Sequence, residues 1–193
     1  MKKLILASNS PRRKELLAGL GIPFEVKVLP DIDESCPASI PAEQQAQYIA
    51  QHKAAAYIVQ PDEFLITADT TVVIDNQILG KPVDSADAQR MLQLLSGREH
   101  QVITGVCLRT YNAESLFSVA TKVTFKKLTE AEIQYYVIHY KPFDKAGAYG
   151  IQEWIGFIGV TQIHGSYYNV MGLPIQRIYS DELFAQSMLQ TTE

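Results

Sequence analysis

Strand patterns and helix patterns alternate along this chain, and that order constrains the fold more than any other feature. Lys3–Ala7 has the apolar composition of a short buried strand. The pattern over 11–20 predicts a helix, with Ser10 as its N-cap and a proline at its first position. Turn residues between the strand patterns of 64–74 and 77–79 favour a hairpin. Because crossovers and hairpins both occur, the sequence predicts an α/β fold built on a mixed sheet.

The rest of the chain continues this order. A second helix is expected from about residue 39 to 60, with Lys53 lying among its apolar positions, which are Ala46, Ile49, Ala50, Tyr57 and Ile58. Thr129 and Glu132 have the spacing of a capping box at the start of a later helix. The other predicted elements are strands over 24–29, 102–109, 116–125 and about 157–163, and helices over about 84–95, up to Tyr140 and from Pro174.

Composition excludes several classes of protein. The chain has 193 residues, of which 47% are hydrophobic and 20% charged, as in ordinary soluble domains. Its formal net charge of -4 disfavours a nucleic-acid partner or an anionic membrane surface. The first apolar run is too short for a secretory signal, and no stretch approaches the roughly 20 apolar residues of a membrane span. Cys36 and Cys107 are too far apart for a redox motif, so a cytoplasmic location is expected.

The start of the first predicted helix combines features of an anion site. Ser10 stands at the N-cap, and Arg12 and Arg13 follow directly. Free backbone N–H groups at a helix start and two guanidinium groups can all bind phosphate. A capped helix with solvated arginines explains the segment equally well. Neither a P-loop nor a dinucleotide-binding fingerprint is present in the sequence.

Asp69 interrupts the apolar run of 64–74, where a carboxylate needs a partner, a metal ion or an open strand end. The alternative is a turn-forming aspartate between two short strands. Taken singly, Lys53 is most simply a snorkelling lysine, Lys81 a turn residue and Glu34 a solvated charge. Taken together with Arg13 and Asp69, however, they are the residue types needed to hold a polyphosphate with a divalent cation. The scattered histidines disfavour a zinc or haem site.

Six segments then occur in the order and approximate spacing of a known family. They are Ser8–Arg13 (SNSPRR), 67–70 (TADT), 79–82 (LGKP), 95–97 (LSG), 144–152 (DKAGAYGIQ) and 165–174 (GSYYNVMGLP). Over nearly its whole length the chain resembles the Maf family of nucleoside triphosphate pyrophosphatases. The resemblance implies a single Maf-like domain over 1–193, with two lobes that share one elongated mixed sheet flanked by helices and enclose a central cleft, as in the inosine triphosphatases.

The resemblance also implies an activity and a site. The activity is hydrolysis of a nucleoside triphosphate to a monophosphate and pyrophosphate with a divalent cation such as Mg²⁺ or Mn²⁺, and a homodimer is the family expectation. Asp69 is implied as the catalytic carboxylate, which activates water or holds the metal, with Glu34 as the second acidic group. The implied phosphate-binding residues are Ser10, Arg13, Lys53 and Lys81. The loop before Glu34 is slightly longer than the family pattern, which leaves Asp33 as the alternative second acid.

Three positions indicate a branch of the family. Arg12, Thr70 and Gln152 resemble the residues of the dTTP/UTP pyrophosphatases. A carboxamide can accept from a pyrimidine N3–H and donate to a carbonyl, which suits uracil and thymine but not cytosine. The 7-methyl-GTP branch is the second reading within the family. A non-catalytic, nucleotide-binding regulator of septum formation or cell division would use the same pocket, and turnover distinguishes it from a hydrolase.

Overall fold

A computed structural model of the chain describes residues 2–189. Within them the strands are β1 Lys3–Leu6, β2 Phe24–Val26, β3 Glu63–Ile74, β4 Gln77–Leu79, β5 Glu99–Arg109, β6 Glu114–Phe125 and β7 Val160–His164. The helices are α1 Pro11–Ala18, α2 Ala42–Ala55, α3 Ser85–Leu95, α4 Glu130–Tyr140, α5 Trp154–Gly159, α6 Tyr167–Met171, α7 Ile175–Tyr179 and α8 Glu182–Phe184. A 3₁₀ turn covers Ala146–Ala148, and a π-helical turn covers Ala185–Leu189.

The strands form one mixed sheet, with the order β2-β1-β3-β5-β6-β7 and with β4 paired to β3. β1 is parallel to both β2 and β3, whereas β3 with β4 and β6 with β7 are antiparallel. The prediction of an α/β fold with a mixed sheet flanked by helices is therefore confirmed. Within residues 2–189, no helix combines the length and the apolar composition needed to cross a bilayer.

The chain divides into two compact units. The first comprises the described residues within 1–69, 104–119 and 172–193, and the second comprises 70–103 and 120–171. In the first unit, Leu4 and Leu6 pack on one face of the sheet, and Ile5 packs on the other. Because β1 is covered on both faces, Leu4, Ile5 and Leu6 are all apolar and buried, as is usual for a buried parallel strand.

Helix α2 lies very close to β5 within the first unit. A Cβ added at Gly105 would stand 2.3 Å from the backbone of Ala46, a fully buried residue of α2. Only a residue without a side chain allows two backbones to approach this closely. The glycine therefore sets the distance between the sheet and the helix that carries Lys53.

The second unit contains a buried aromatic cluster beside its own part of the sheet. His100 of β5 packs edge-on against Phe125 of β6 and against Tyr149, with ring centroids 5.2 Å and 5.5 Å apart. On the other elements of this unit, Thr129 and Glu132 form the predicted capping box of α4. The predicted hairpin between β3 and β4 turns through Asp75 and Asn76, both with positive φ.

One alternative is excluded, and three local predictions were wrong. The 12-residue strand β3 runs through Asp69 without a turn, so the turn-forming alternative is excluded. Helix α2 ends at Ala55, which leaves Ile58 82% exposed and not on an apolar helix face. Residues 157–159 belong to α5 and are not part of a strand. Strand β2 ends at Val26 and is only three residues long.

Candidate functional site

The N-terminus of α1 has the predicted cap. Ser10 Oγ accepts a hydrogen bond from the backbone N–H of Arg13 at 3.5 Å, and the Ser10 N–H donates to Ser8 Oγ at 3.2 Å. Pro11 occupies the first helical position, where a missing N–H costs nothing. The local sequence therefore builds a short loop that leads into a capped helix start, with Arg12 and Arg13 in its first turn.

The guanidinium of Arg13 is held in place from two directions. Its Nε donates to the carbonyl of Gly172 at 2.8 Å, and its Nη1 donates to Ser8 Oγ at 3.4 Å. Burial lowers the pKa of Arg13 from its ordinary value, the carboxylate of Asp69 opposes that shift, and the charge of Arg12 adds to it. An arginine remains charged under such a shift, so the group is an oriented, permanent cation near a carboxylate.

Lys53 connects two predicted acidic residues that are distant in sequence. Its Nζ lies 2.9 Å from Asp69 Oδ1 and 3.0 Å from Glu34 Oε1. The side chains of Lys53 and Asp69 are only 11% and 15% exposed, whereas Glu34 is 55% exposed. A charged group this deeply buried requires charged partners. The lysine lies among the apolar positions of α2 because it pairs with these carboxylates.

The structure also distinguishes the two acids of the preceding loop. Asp33 binds locally, since its Oδ1 accepts from the N–H of Ser35 at 2.8 Å and its Oδ2 accepts from the Ser35 hydroxyl at 2.9 Å. The backbone hydrogen bond and then the hydroxyl lower the pKa of Asp33. Glu34 instead contacts Lys53, the same lysine that pairs with Asp69.

The donor set fits a divalent cation that is shared with substrate. No group of three or more His, Cys, Asp or Glu side chains within residues 2–189 forms a complete metal cage. Mg²⁺ is typically held by one or two carboxylates together with substrate phosphate oxygens, and not by a protein cage. Asp69 and Glu34 supply two carboxylates that meet at the same ammonium group. This pair has the chemistry required of such a site.

The remaining predicted residues lie in the second unit. Thr70 is half-buried on β3, and Lys81 is exposed just after β4. Gln152 is half-buried in the turn before α5, and its Oε1 is buried with no hydrogen-bond partner among the described residues. A buried amide oxygen without a donor is uncommon in proteins, so Gln152 has an unused acceptor.

A hydrogen-bond network that was not predicted binds the chain on both sides of Gln152, at Gly150 and at Glu153. Lys145 Nζ lies 3.2 Å from Glu153 Oε1, and the Tyr136 hydroxyl donates to Glu153 Oε2. The Gly150 N–H donates in turn to the Tyr136 hydroxyl oxygen at 3.0 Å. The sequence signal that could have found this network is the pair of opposite charges at the two ends of the Gly-rich loop.

The chain is similar in sequence to known proteins. A family model described as Maf-like protein matches residues 3–181. A protein of Phocaeicola vulgatus named dTTP/UTP pyrophosphatase is 61% identical over 181 residues, which cover 93% of this chain and 94% of that protein. A protein of Porphyromonas gingivalis with the same name is 52% identical over 183 residues, covering 93% and 92%. Among solved structures, a HAM1 protein from Coxiella burnetii is 18% identical with a TM-score of 0.41, over 65% of this chain and 73% of that chain.

Proposed function

The chain belongs to the Maf family, and we propose that it hydrolyses dTTP and UTP to the nucleoside monophosphate and pyrophosphate. The names of relatives that are 50–61% identical over more than nine-tenths of this chain support this activity. The structural observation that carries the proposal is the contact of Lys53 with both Asp69 and Glu34. It joins the cationic and acidic groups that phosphoanhydride hydrolysis requires.

In the proposed reaction, water attacks the α-phosphorus and pyrophosphate leaves. A bond forms between the water oxygen and the α-phosphorus, and the bond from that phosphorus to the α,β-bridging oxygen breaks. Asp69 accepts the proton that the water loses, and no covalent intermediate is needed. The contact with Lys53 holds the Asp69 carboxylate in a defined orientation for this role.

The cations bind the triphosphate. We assign this role to the N-terminus of α1 with Ser10, to Arg13, to Lys53 and to Lys81. Hydrolysis of a polyanion is limited by charge, and oriented cations stabilise the charge that develops in the transition state. The Gly172 carbonyl and the Ser8 hydroxyl orient the Arg13 guanidinium before substrate binds. A divalent cation held by Asp69 and Glu34 would add further neutralisation of the phosphate oxygens.

Base selection is proposed for Gln152, and the family resemblance implies the same role for Arg12 and Thr70. The unpartnered Oε1 of Gln152 can accept from the N3–H of uracil or thymine, and its amide can donate to a neighbouring carbonyl. Cytosine presents an acceptor at N3 and would leave this oxygen unpaired. The homodimer remains a prediction of the family resemblance, and the cytoplasmic location remains a prediction from the sequence.

The test is pyrophosphate release from dTTP, UTP, CTP and 7-methyl-GTP with Mg²⁺. We expect dTTP and UTP to be cleaved, and we expect Asp69→Asn to reduce turnover by on the order of 10²–10⁴ while the protein stays folded. Asp75→Asn is the matched control, because Asp75 lies in an exposed turn and pairs with Arg98. Orthophosphate as the primary product, or full turnover in EDTA, would contradict the mechanism. Nucleotide binding without turnover would favour a regulator.

A further inference from the structure

We propose that Glu153 is a positioning residue for nucleotide selectivity, because it holds the loop that carries Gln152 in one conformation. The inference rests on the proposed function, since Gln152 is taken to contact the base. Glu153 orients Gln152, and Lys145 and Tyr136 hold Glu153 in place.

The two carboxylate oxygens of Glu153 are bound to different groups. Oε1 lies 3.2 Å from the Lys145 ammonium, and Oε2 accepts from the Tyr136 hydroxyl of α4. The same hydroxyl accepts from the Gly150 N–H at 3.0 Å. The chain is therefore attached to α4 two residues before Gln152 and again one residue after it.

The side chains that hold Glu153 are buried. Tyr136 is fully buried, and the Lys145 side chain is only 9% exposed. Burial, together with the hydrogen bond to Glu153, raises the pKa of Tyr136, so the phenol keeps its proton and remains a donor. Buried polar groups are costly when one partner is missing, so the satisfied network strongly favours a single arrangement.

The first half of the loop is fixed independently of Glu153. Gly147 has φ 67°, its N–H donates to the Gly80 carbonyl at 3.0 Å, and an added Cβ would stand 2.9 Å from the side chain of Val72. Ala148 also has a positive φ of 58°, which is strained for a residue other than glycine. Such a conformation persists only where the surroundings hold it. Loss of Glu153 should therefore release the half of the loop that contains Gln152 and leave the first half in place.

Glu153→Gln separates a positioning role from a packing role. An amide of the same size has one acceptor oxygen, so it can bind Lys145 or accept from Tyr136 but cannot do both. Tyr136→Phe removes the hydroxyl from the other end of the contact and retains the ring. Glu99→Gln is the matched control, because Glu99 pairs with Lys122 at 3.0 Å in the same unit but both side chains are about half exposed.

The experiment measures kcat/KM for UTP and CTP in the parent, Glu153→Gln, Tyr136→Phe, their double variant, Gln152→Ala and Glu99→Gln. We expect the UTP-to-CTP ratio to fall about 5- to 100-fold in Glu153→Gln and in Tyr136→Phe, the range expected for a lost buried hydrogen bond. The UTP-to-CTP ratio of the double variant should be no lower than the lower of the two single-variant ratios, because both changes remove the same network. Glu99→Gln should keep the parent ratio.

Hydrogen exchange supplies a second readout that needs no substrate. The Gly150 amide should exchange slowly in the parent and roughly 5- to 100-fold faster in Glu153→Gln and Tyr136→Phe. An unchanged ratio in Glu153→Gln alongside a reduced ratio in Gln152→Ala would overturn the positioning role and leave the proposed function standing. Equal losses on UTP and CTP in Glu153→Gln would also overturn it, as a general stability defect. A parent that hydrolyses neither nucleotide would refute the proposed function, and the positioning role with it.

Discussion

His100 should make the stability of the protein depend on pH between about 4 and 6.5. The imidazole is only 2% exposed and lies against the rings of Phe125 and Tyr149. Its Nε2 is 2.8 Å from the Tyr149 hydroxyl oxygen, and its Nδ1 is buried with no hydrogen-bond partner among the described residues. Burial lowers the pKa of His100 from 6.5 to about 4. The folded protein therefore keeps this histidine neutral where the unfolded chain protonates it.

The sign follows from the number of bound protons. Between pH 6.5 and about 4 the unfolded chain binds more protons at this position than the folded protein does, so acid favours unfolding. The contribution of His100 to stability is fully present above pH 6.5 and falls as the pH drops towards 4. At about 1.4 kcal/mol per pKa unit, the total loss is about 3 kcal/mol, of which about 2 kcal/mol is already lost at pH 5.

The assay is urea unfolding at pH 8, 7, 6 and 5, followed by circular dichroism, in the parent and in His100→Gln. The variant should be less stable at pH 8, because it disturbs a buried contact with Tyr149. Its further loss between pH 8 and pH 5 should be smaller than that of the parent by about 2 kcal/mol. His164→Gln, at an exposed position on β7, is the control and should follow the parent. If His100→Gln and the parent lose equal stability over this range, the argument from burial is wrong.

Two further predictions concern the helix that carries Lys53. Gly105→Ala should lower the free energy of unfolding by about 1–3 kcal/mol or more in a denaturation assay, because the new Cβ would stand 2.3 Å from the backbone of Ala46. Gly80→Ala is the control and should have a much smaller effect in the same assay, because no atom lies within 4 Å of a Cβ added there. Lys53→Met should reduce kcat/KM for dTTP by about 10²–10³-fold, since it removes the cation 2.9 Å from Asp69. A change of less than threefold in that steady-state measurement would show that Lys53 has only a structural role.

Several local features were predictable because they depend on residues close together in sequence. The Ser10 cap, the capping box of Thr129 with Glu132 and the hairpin turn at Asp75 and Asn76 are all present in the structure. In each case a side chain or a turn residue satisfies backbone groups within a few positions of itself. Such chemistry does not need the rest of the fold.

The wrong predictions fell where the same local pattern fits two structures. Apolar residues around Phe157 are compatible with a strand or a buried helix, and periodicity alone does not separate them over so few residues. In the structure Gly156 permits the helical turn, since an added Cβ would stand 1.8 Å from the Ile151 carbonyl oxygen. In the sequence, Ile58 continues the apolar spacing of α2, but the helix ends at Ala55 in the structure.

By itself the sequence determined the fold class, the family and the residue types of the site, because these are recorded in local patterns and in motifs that keep their order along the chain. Only the tertiary structure decided which charges meet. Glu34 lies in a loop, Lys53 on α2 and Asp69 on β3, and their contacts at 2.9 Å and 3.0 Å exist because Gly105 lets α2 approach the sheet. A charge next to an apolar run has many possible partners in a sequence, whereas burial in a folded chain leaves it only those within hydrogen-bonding distance.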